Sequence, residues 1–252
     1  MDLVRVRDDV WGREVLAGVS WDLLWLVLTA AFAIIIAHLL LMAVLNRKAR
    51  PSAAGKKLAR HAGVDRAFHW ITAIATIVLL VTGVFPIIGI NFPWLTPHWI
   101  AGLVLTVAVG LHVVRSLFFQ DPLAMWIAPS DLKELAGGDV KTAKYSLAQK
   151  GMHLGMAVVV LVVIVTGLVL FLAIDTPWWN RTNSIDEATL GWLFLLHGAS
   201  TLGLVGLTAL HIYFGLRPEK LFYTRSMIKG WISEHEHAAH HDAARWSPEE
   251  TR

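Results

Sequence analysis

Two histidines lie fourteen residues apart within one long apolar segment of the chain. His197 and His211 both fall in the stretch 190–215, which contains no Asp, Glu, Lys or Arg. On an α-helix, fourteen residues return to within roughly 40° of the same face and rise by roughly 21 Å. A neutral imidazole is a good axial ligand for haem iron. The spacing therefore predicts a helix that holds two haems, stacked so that electrons cross a membrane.

The composition is that of a membrane protein. Soluble domains usually carry about 25% charged residues, whereas this chain of 252 residues is 16% charged and 56% hydrophobic. Five apolar stretches are long enough to cross roughly 30 Å of hydrocarbon. Because they lack the alternation of barrel strands, we expect helices, and hence an all-α membrane fold. The predicted spans are Trp21–Leu45, Phe68–Ile90, His98–Phe119, Lys150–Ala173 and Leu190–Gly215.

The chain contains no cysteine. This excludes disulfides, iron–sulfur clusters held by this chain and covalent attachment of a c-type haem. A redox cofactor must therefore be held by other side chains, chiefly the 12 histidines. The first apolar run lacks a clear small-residue cleavage site and is predicted to be a retained helix.

The distribution of charge predicts the orientation. The segment Asn46–Ala67 carries seven Lys and Arg against one acid, Asp65, whereas the turn Asn91–Pro97 has no charge. The positive-inside rule then places Asn46–Ala67, the loop Gln120–Gln149 and the C-terminal tail in the cytoplasm, with the N-terminus outside. The pI of 9.3 follows from these loops and does not indicate binding to nucleic acid.

The histidines within the spans sort by depth in this topology. On the outer side there are two, His98 and His197, which predicts that they ligate one haem together. Glycines within the predicted spans would allow a macrocycle or a neighbouring backbone to approach closely. They are Gly83, Gly102, Gly155, Gly167, Gly198 and Gly203.

The inner side has four candidates, and spacing does not choose among them. They are His69, His112, His153 and His211. His98 and His112 are also fourteen residues apart, so His112 could pair with His211 in a two-plus-two arrangement on two helices. The competing choice pairs His69 with His211. Residue spacing favours the two arrangements equally.

The remaining histidines are expected to have other roles. His38 lies in the first span, which has no second histidine, and is predicted to be hydrogen-bonded or interfacial. His61 lies in the basic loop and is expected to be solvated. The four histidines between His235 and His241 form a cluster of a type that can bind metal, but we expect a solvated, partner-facing tail.

Five short motifs carry a resemblance to a known family. They are Asp65–Trp70 (Asp-Arg-Ala-Phe-His-Trp), His98–Gly102, Lys144–Lys150 (Lys-Tyr-Ser-Leu-Ala-Gln-Lys), Leu196–Gly198 with His211–Tyr213, and Ser226–Ile232. In order and spacing they resemble the dihaem cytochrome b (gamma) subunit of membrane-bound formate dehydrogenases. That subunit belongs to the wider bacterial cytochrome b561 and nickel-hydrogenase cytochrome b family. The resemblance runs from about Asp65 to Trp246.

The resemblance implies a specific set of ligands for two haems b. The cytoplasmic-side iron would be held by His69 and His211, and the outer iron by His98 and His197. Four further residues would contact the haems or their carboxylates. They are His112, His153, Arg115 and Lys150.

A quinone site is also implied by the resemblance, because family members reduce menaquinone or ubiquinone beside the inner haem. Its predicted contacts are Tyr145, Ser146, Ala148 and Gln149. Ser146 stands where the family has an amide, and Ala148 where glycine is common. A hydroxyl offers one donor where an amide offers two, which changes how a quinone carbonyl is held.

The expected organisation is a four-helix haem-binding bundle with one extra N-terminal helix. Its parts are an outer N-terminal segment (1–20), the extra span (21–45), a basic cytoplasmic loop (46–67), the dihaem cytochrome b domain (68–215) and a cytoplasmic tail (216–252). The extra helix, which the core family unit does not need, is interpreted as a peripheral anchor. The alternative is that it docks a partner subunit or covers a haem edge.

The resemblance implies an electron-transfer subunit in the bacterial cytoplasmic (inner) membrane. Electrons would come from an extracytoplasmic iron–sulfur (beta) subunit and from a molybdenum or tungsten catalytic (alpha) subunit, and would pass to a quinone. Similar cytochromes serve hydrogenases and other molybdoenzymes. Two rival interpretations are a stand-alone quinol or superoxide oxidoreductase of the cytochrome b561 type, and a haem-free scaffold or transporter.

Overall fold

The structure is a computed structural model that describes residues 2–44, 53–136 and 140–251, and most of these residues are helical. In chain order the elements are β1 (Val4–Asp8), β2 (Glu14–Val19), α1 (Asp22–Val44), β3 (Lys57–Ala59), α2 (Gly63–Val84), α3 (Leu95–Phe119), α4 (Leu147–Phe171), α5 (Glu187–Leu216), α6 (Leu221–Lys229), β4 (Trp231–Ser233) and α7 (Glu234–His240). Three short 3-10 segments cover Pro122–Met125, Pro129–Ala136 and Pro218–Lys220.

The prediction of five spans is confirmed. In the part of the chain that the structure describes, α1 to α5 are each long and apolar enough to cross a membrane. Helix α2 begins at Gly63, earlier than predicted, and ends before Pro86, which cannot continue a helix. Helix α5 begins after Asp186, whose carboxylate accepts the N–H of Thr189, and ends before Pro218. Arg47, Lys48 and Arg50 of the predicted basic loop lie outside the described residues.

The chain divides into two compact units, and each of the five spans contributes to both. The first unit comprises Met1–Ile34, Ala73–Val107 and Met156–Ala209. It contains a feature that the sequence analysis did not predict, an antiparallel hairpin of β1 and β2 packed on α5. A Cβ on Gly191 would lie 2.4 Å from the carbonyl oxygen of Leu16, and one on Gly198 would lie 2.6 Å from Val19 Cγ1. Glycine at these two positions therefore allows the hairpin to approach the helix backbone.

The second unit comprises Ile35–Thr72, Ala108–Gly155 and Leu210–Arg252. In it β3 pairs with β4, and α7 begins with a capping box in which Ser233 and Glu236 exchange hydrogen bonds. His237 and His241 are buried, so the expectation of a solvated tail is wrong. His61 is half-buried instead of solvated, and burial, with the nearby Arg60 and Lys144, lowers its pKa to about 3.

The spanning helices expose large apolar side chains. On α1, for example, Phe32 is 65% exposed and Leu40 is 63% exposed. Exposed apolar area on this scale is unstable in water and is accommodated in lipid. The surface of the helices therefore agrees with the membrane location predicted from composition.

Candidate haem-binding sites

The first unit places the two predicted outer ligands opposite each other. His98 lies in the first turn of α3 and His197 lies in α5. Their ring centroids are 6.4 Å apart, and the ring planes are inclined by 67°. The sequence-predicted pair is thus brought together by two helices that are far apart in the chain.

Each of these imidazoles is held by a threonine from another helix. Nδ1 of His98 lies 2.8 Å from Oγ1 of Thr82 on α2, and Nδ1 of His197 lies 2.9 Å from Oγ1 of Thr166 on α4. Both hydroxyls donate their proton to a carbonyl of their own helix. Each Oγ1 must therefore accept a proton from Nδ1, because a hydroxyl has only one to give. This fixes the tautomer in which Nε2 has a free lone pair for a metal.

A glycine follows each of these threonines and makes room for the ring. A Cβ on Gly83 would lie 3.5 Å from Cε1 of His98, and one on Gly167 would lie 3.2 Å from Cε1 of His197. The sequence analysis listed both glycines but missed Thr82 and Thr166. The signal that could have found them is the sequence Val-Thr-Gly, which occurs in both α2 and α4.

The ring separation fits an iron atom between the two imidazoles. Bonds from a metal to imidazole nitrogen are about 2 Å long, and each nitrogen lies about 1 Å from the centre of its ring. Two such ligands on one metal therefore have centroids about 6 Å apart. The observed 6.4 Å and the assigned tautomers match the donor set that a haem requires.

Within the membrane spans, the described part of the second unit contains two facing pairs of histidines. His69 on α2 faces His211 on α5, with centroids 6.2 Å apart and an angle of 50° between the planes. His112 on α3 faces His153 on α4, with centroids 6.4 Å apart and an angle of 68°. Among the described residues no ring contact joins His112 to His211. Of the two arrangements that spacing left open, the structure brings together the one that uses His69.

A family model described as prokaryotic cytochrome b561 matches residues 60–230. The chain belongs to the prokaryotic cytochrome b561 family. The match includes α2 to α6 and all four histidines of the His98–His197 and His69–His211 pairs, and it leaves α1 outside. No curated protein matches the chain.

Membership of this family settles the general character of the protein. It is a membrane cytochrome b that binds haem b and transfers electrons, and it is a multi-pass protein of the bacterial cytoplasmic membrane. The all-α fold predicted from the sequence is confirmed.

Two cations predicted to contact haem carboxylates are paired with carboxylates of the cytochrome itself. Nε of Arg115 lies 2.8 Å from Oδ1 of Asp65, and Nζ of Lys150 lies 2.7 Å from Oδ2 of Asp131. Burial raises the pKa of Asp131, but hydrogen bonds from Lys150, the Ala128 N–H and other donors outweigh it and bring the pKa to about 2. The contact with haem carboxylates stays a prediction for both cations.

The predicted quinone loop of the cytochrome forms the start of α4. Ser146 and Gln149 make a capping box, because the Ser146 N–H donates to Oε1 of Gln149 and the Gln149 N–H donates to the Ser146 hydroxyl. Tyr145 is half-buried, which raises its pKa, and Ala148 is exposed. The sequence Ser-x-x-Gln before an apolar run is a signal for this cap that the sequence analysis missed. The quinone role of these four residues stays a prediction.

A buried cation beside this loop was also missed. Arg60 is only 4% exposed, and its guanidinium contacts Nε2 of His241 and the carbonyl oxygen of Lys144. The rings of Tyr223 and Trp246 lie 4.6 and 5.1 Å from it, within the range of cation–π contacts. Burial lowers the pKa of Arg60 from its usual value.

The extra helix of the cytochrome is joined to the end of α5 by His38. Nδ1 of His38 lies 2.8 Å from the hydroxyl of Tyr213, and Nε2 lies 2.8 Å from Nη1 of Arg217. The prediction that His38 is hydrogen-bonded is confirmed.

Proposed function

We propose that this chain is the dihaem cytochrome b (gamma) subunit of a formate dehydrogenase-like complex. It carries electrons from an extracytoplasmic iron–sulfur (beta) subunit to a quinone near the cytoplasmic face. The observation that carries the proposal is that each unit contains a facing histidine pair of haem geometry with one member on α5. These pairs are His98–His197 and His69–His211.

The charge distribution supports the direction of the path. With the basic loop 46–67 in the cytoplasm, His98 and His197 lie toward the outer surface and His69 and His211 toward the inner one. Haem b, when bound, supplies the one-electron chemistry. The protein contributes the axial imidazoles, their tautomers and an apolar surrounding that controls the reduction potential.

The acceptor in this proposal is menaquinone or ubiquinone, reduced beside the inner pair with protons taken from the cytoplasm. Because electrons move inward and protons are consumed inside, the reaction is electrogenic. The motif Lys144–Lys150 supports a quinone site at the start of α4, with Tyr145 and Gln149 as contacts.

The partners in this proposal follow from the five motifs shared with formate dehydrogenase gamma subunits. The beta subunit would deliver electrons at the outer surface, and the molybdenum or tungsten alpha subunit would oxidise the primary substrate. Lipid surrounds the remaining surface of the spans.

The test is purification of the tagged protein from its native membrane. The proposal predicts copurification of an iron–sulfur protein and a molybdenum or tungsten protein, together with formate-dependent reduction of the haems. Hydrogen-dependent reduction with a copurified nickel protein would instead identify a hydrogenase subunit. Quinol or superoxide activity of the isolated chain without either partner would identify a stand-alone oxidoreductase.

A further inference from the structure

A third facing pair of histidines supplies no iron ligand in the haem assignment, and its predicted contact with the haems or their carboxylates stays a prediction. His112 on α3 and His153 on α4 have ring centroids 6.4 Å apart. Both side chains are half-buried within membrane spans, and Phe68 packs edge-on against His112. Ionisable side chains within spans are rare and mark functional sites.

Neither imidazole has a hydrogen-bond partner among the described residues. A direct bond between the two would bring their nitrogens to about 3 Å. Because each nitrogen is about 1 Å from its ring centre, the centroids would then be about 5 Å apart. At 6.4 Å the rings are too far apart for a direct bond, and one atom that accepts a hydrogen bond from each ring spans this distance when the two bonds meet at roughly 105°. Two polar groups left unpaired in an apolar surrounding are unfavourable, which indicates that a ligand supplies this atom.

The charges near the pair favour a neutral ligand atom over an anionic one. Arg115 lies three residues after His112 and is paired with Asp65, and Lys150 lies three residues before His153 and is paired with Asp131. Among the described residues, the two cations one helical turn from the pair are therefore already paired, and neither is left to neutralise a carboxylate ligand.

A carbonyl oxygen fits these conditions. Each neutral imidazole carries one N–H, and a carbonyl oxygen has two lone pairs that accept both. The helices beside the pair expose apolar side chains, including Leu111 and Val158. Because the two imidazoles are themselves only half-buried, a lipid-soluble carbonyl compound can reach them from the bilayer.

We propose that His112 and His153 bind the head group of the quinone by donating hydrogen bonds to one of its carbonyl oxygens. This rests on the function proposed above and assigns the donors of that site. Reduction converts two C=O groups to hydroxyls with two electrons, which arrive by way of the His69–His211 haem, and two protons. One proton reaches the bound oxygen from an imidazole N–H, as the second nitrogen of that ring takes up a proton from cytoplasmic water, and the other proton reaches the second oxygen from water.

The test uses the full-length, haem-loaded protein in detergent. The haems are reduced with dithionite, the excess is removed, and their reoxidation by decyl-ubiquinone or menadione is followed in the visible spectrum. His112→Phe and His153→Phe keep the ring volume but remove the N–H donor.

We expect each Phe variant to raise the quinone concentration for half-maximal rate at least about tenfold, with two haems retained. His112→Gln and His153→Gln keep a donor and should recover much of the loss, and His235→Gln, an exposed histidine, should behave as wild type.

A measurement on the wild type alone covers the case in which a Phe variant fails to bind haem. The infrared carbonyl band of bound decyl-ubiquinone labelled with ¹³C should lie below that of free quinone. A band at the free position, or an unchanged quinone dependence in both Phe variants, would overturn the proposal.

Two further results would also overturn it. A shifted haem potential with an unchanged quinone dependence would place a haem carboxylate between the rings. Three haems in wild type, falling to two in the variants, would make the pair iron ligands. If neither quinone reoxidises the wild-type haems, both this proposal and the quinone-reducing function proposed above fail. If the wild-type haems are reoxidised and the Phe variants behave like wild type, only the present proposal fails.

Discussion

Thr82 accepts a hydrogen bond from Nδ1 of His98 while its own hydroxyl proton is donated to the carbonyl of Val78. Thr166 and His197 repeat this arrangement on α4 and α5. The orientation of the two outer imidazoles is therefore fixed by two helices that carry no ligand of that pair. All four helices α2 to α5 take part in one site.

The first prediction concerns the hydrogen bond between Thr82 and His98. Thr82→Val removes the acceptor and leaves the Nδ1–H of His98 unpaired in a buried position. A ligand with an unsupported N–H is less basic, so we expect haem affinity to fall by about tenfold to a hundredfold and the potential of one haem to rise. Redox titration of the visible spectrum measures both potentials. Thr106→Val is the matched control, because that hydroxyl bonds to Gly102 of its own helix. Equal potentials in both variants would contradict the role of Thr82.

The second prediction concerns the space at Gly167. Gly167→Ala places a methyl group 3.2 Å from Cε1 of His197, so the ring must tilt. We expect a changed electron paramagnetic resonance signal for one ferric haem, since this signal reports the orientation of the axial rings. Gly151→Ala is the control, because no described atom lies within 4 Å of its Cβ position and alanine favours the helix. A signal unchanged in Gly167→Ala would show that the site tolerates the methyl group.

The third prediction concerns Asp131 and acid stability. The pKa of this buried carboxyl lies at about 2, below the ordinary value of 3.8. The stabilisation of the folded state by this shift is therefore complete above about pH 5 and is lost as the pH falls toward 2, by about 2 kcal/mol. Chemical unfolding between pH 5 and pH 2 should show this loss in wild type and not in Asp131→Asn. The variant should be less stable than wild type by about 3–5 kcal/mol at neutral pH, because Lys150 is left buried without its carboxylate. Asp175→Asn should keep the wild-type pH dependence.

The fourth prediction concerns the contact between the C-terminal tail and the rest of the second unit. His241→Ala removes one of the hydrogen-bond partners of the buried Arg60 guanidinium, which has no carboxylate partner among the described residues. Hydrogen bonds to charged groups contribute about 1.5–3 kcal/mol, and we expect a loss of that size in the free energy of unfolding. His235→Ala changes an exposed residue of the same helix α7 and should stay within about 0.5 kcal/mol of wild type. Equal stability of the two variants would mean that the tail adds nothing to the fold.

The sequence predicted the features that follow from the apolar surroundings of a membrane and from the spacing of residues along a helix. The five spans follow from apolar length because lipid leaves backbone groups no partner outside a helix. The pairing of His98 with His197, whose ring centroids lie 6.4 Å apart, followed from predicted depth because no other histidine of a span was expected on that side. The general family, recognised from five motifs, is confirmed by the match to residues 60–230.

Other features depend on contacts between distant segments and could not be predicted in the same way. The choice between His69 and His112 depends on how each helix is rotated, which equal spacing does not determine. The tail is partly buried where His241 contacts Arg60, 181 residues away in the chain. The hairpin at residues 4–19 depends on Gly191 and Gly198 of α5, which leave room for its backbone.

The most direct test of the central claim is the pyridine haemochrome content of wild type, His69→Ala and His112→Ala. We predict two haems b in wild type, one in His69→Ala and two in His112→Ala, because His69 faces His211 and His112 does not. Loss of a haem in His112→Ala with none lost in His69→Ala would contradict the ligand assignment. Absence of haem from wild type expressed with adequate haem supply would contradict the electron-transfer role altogether.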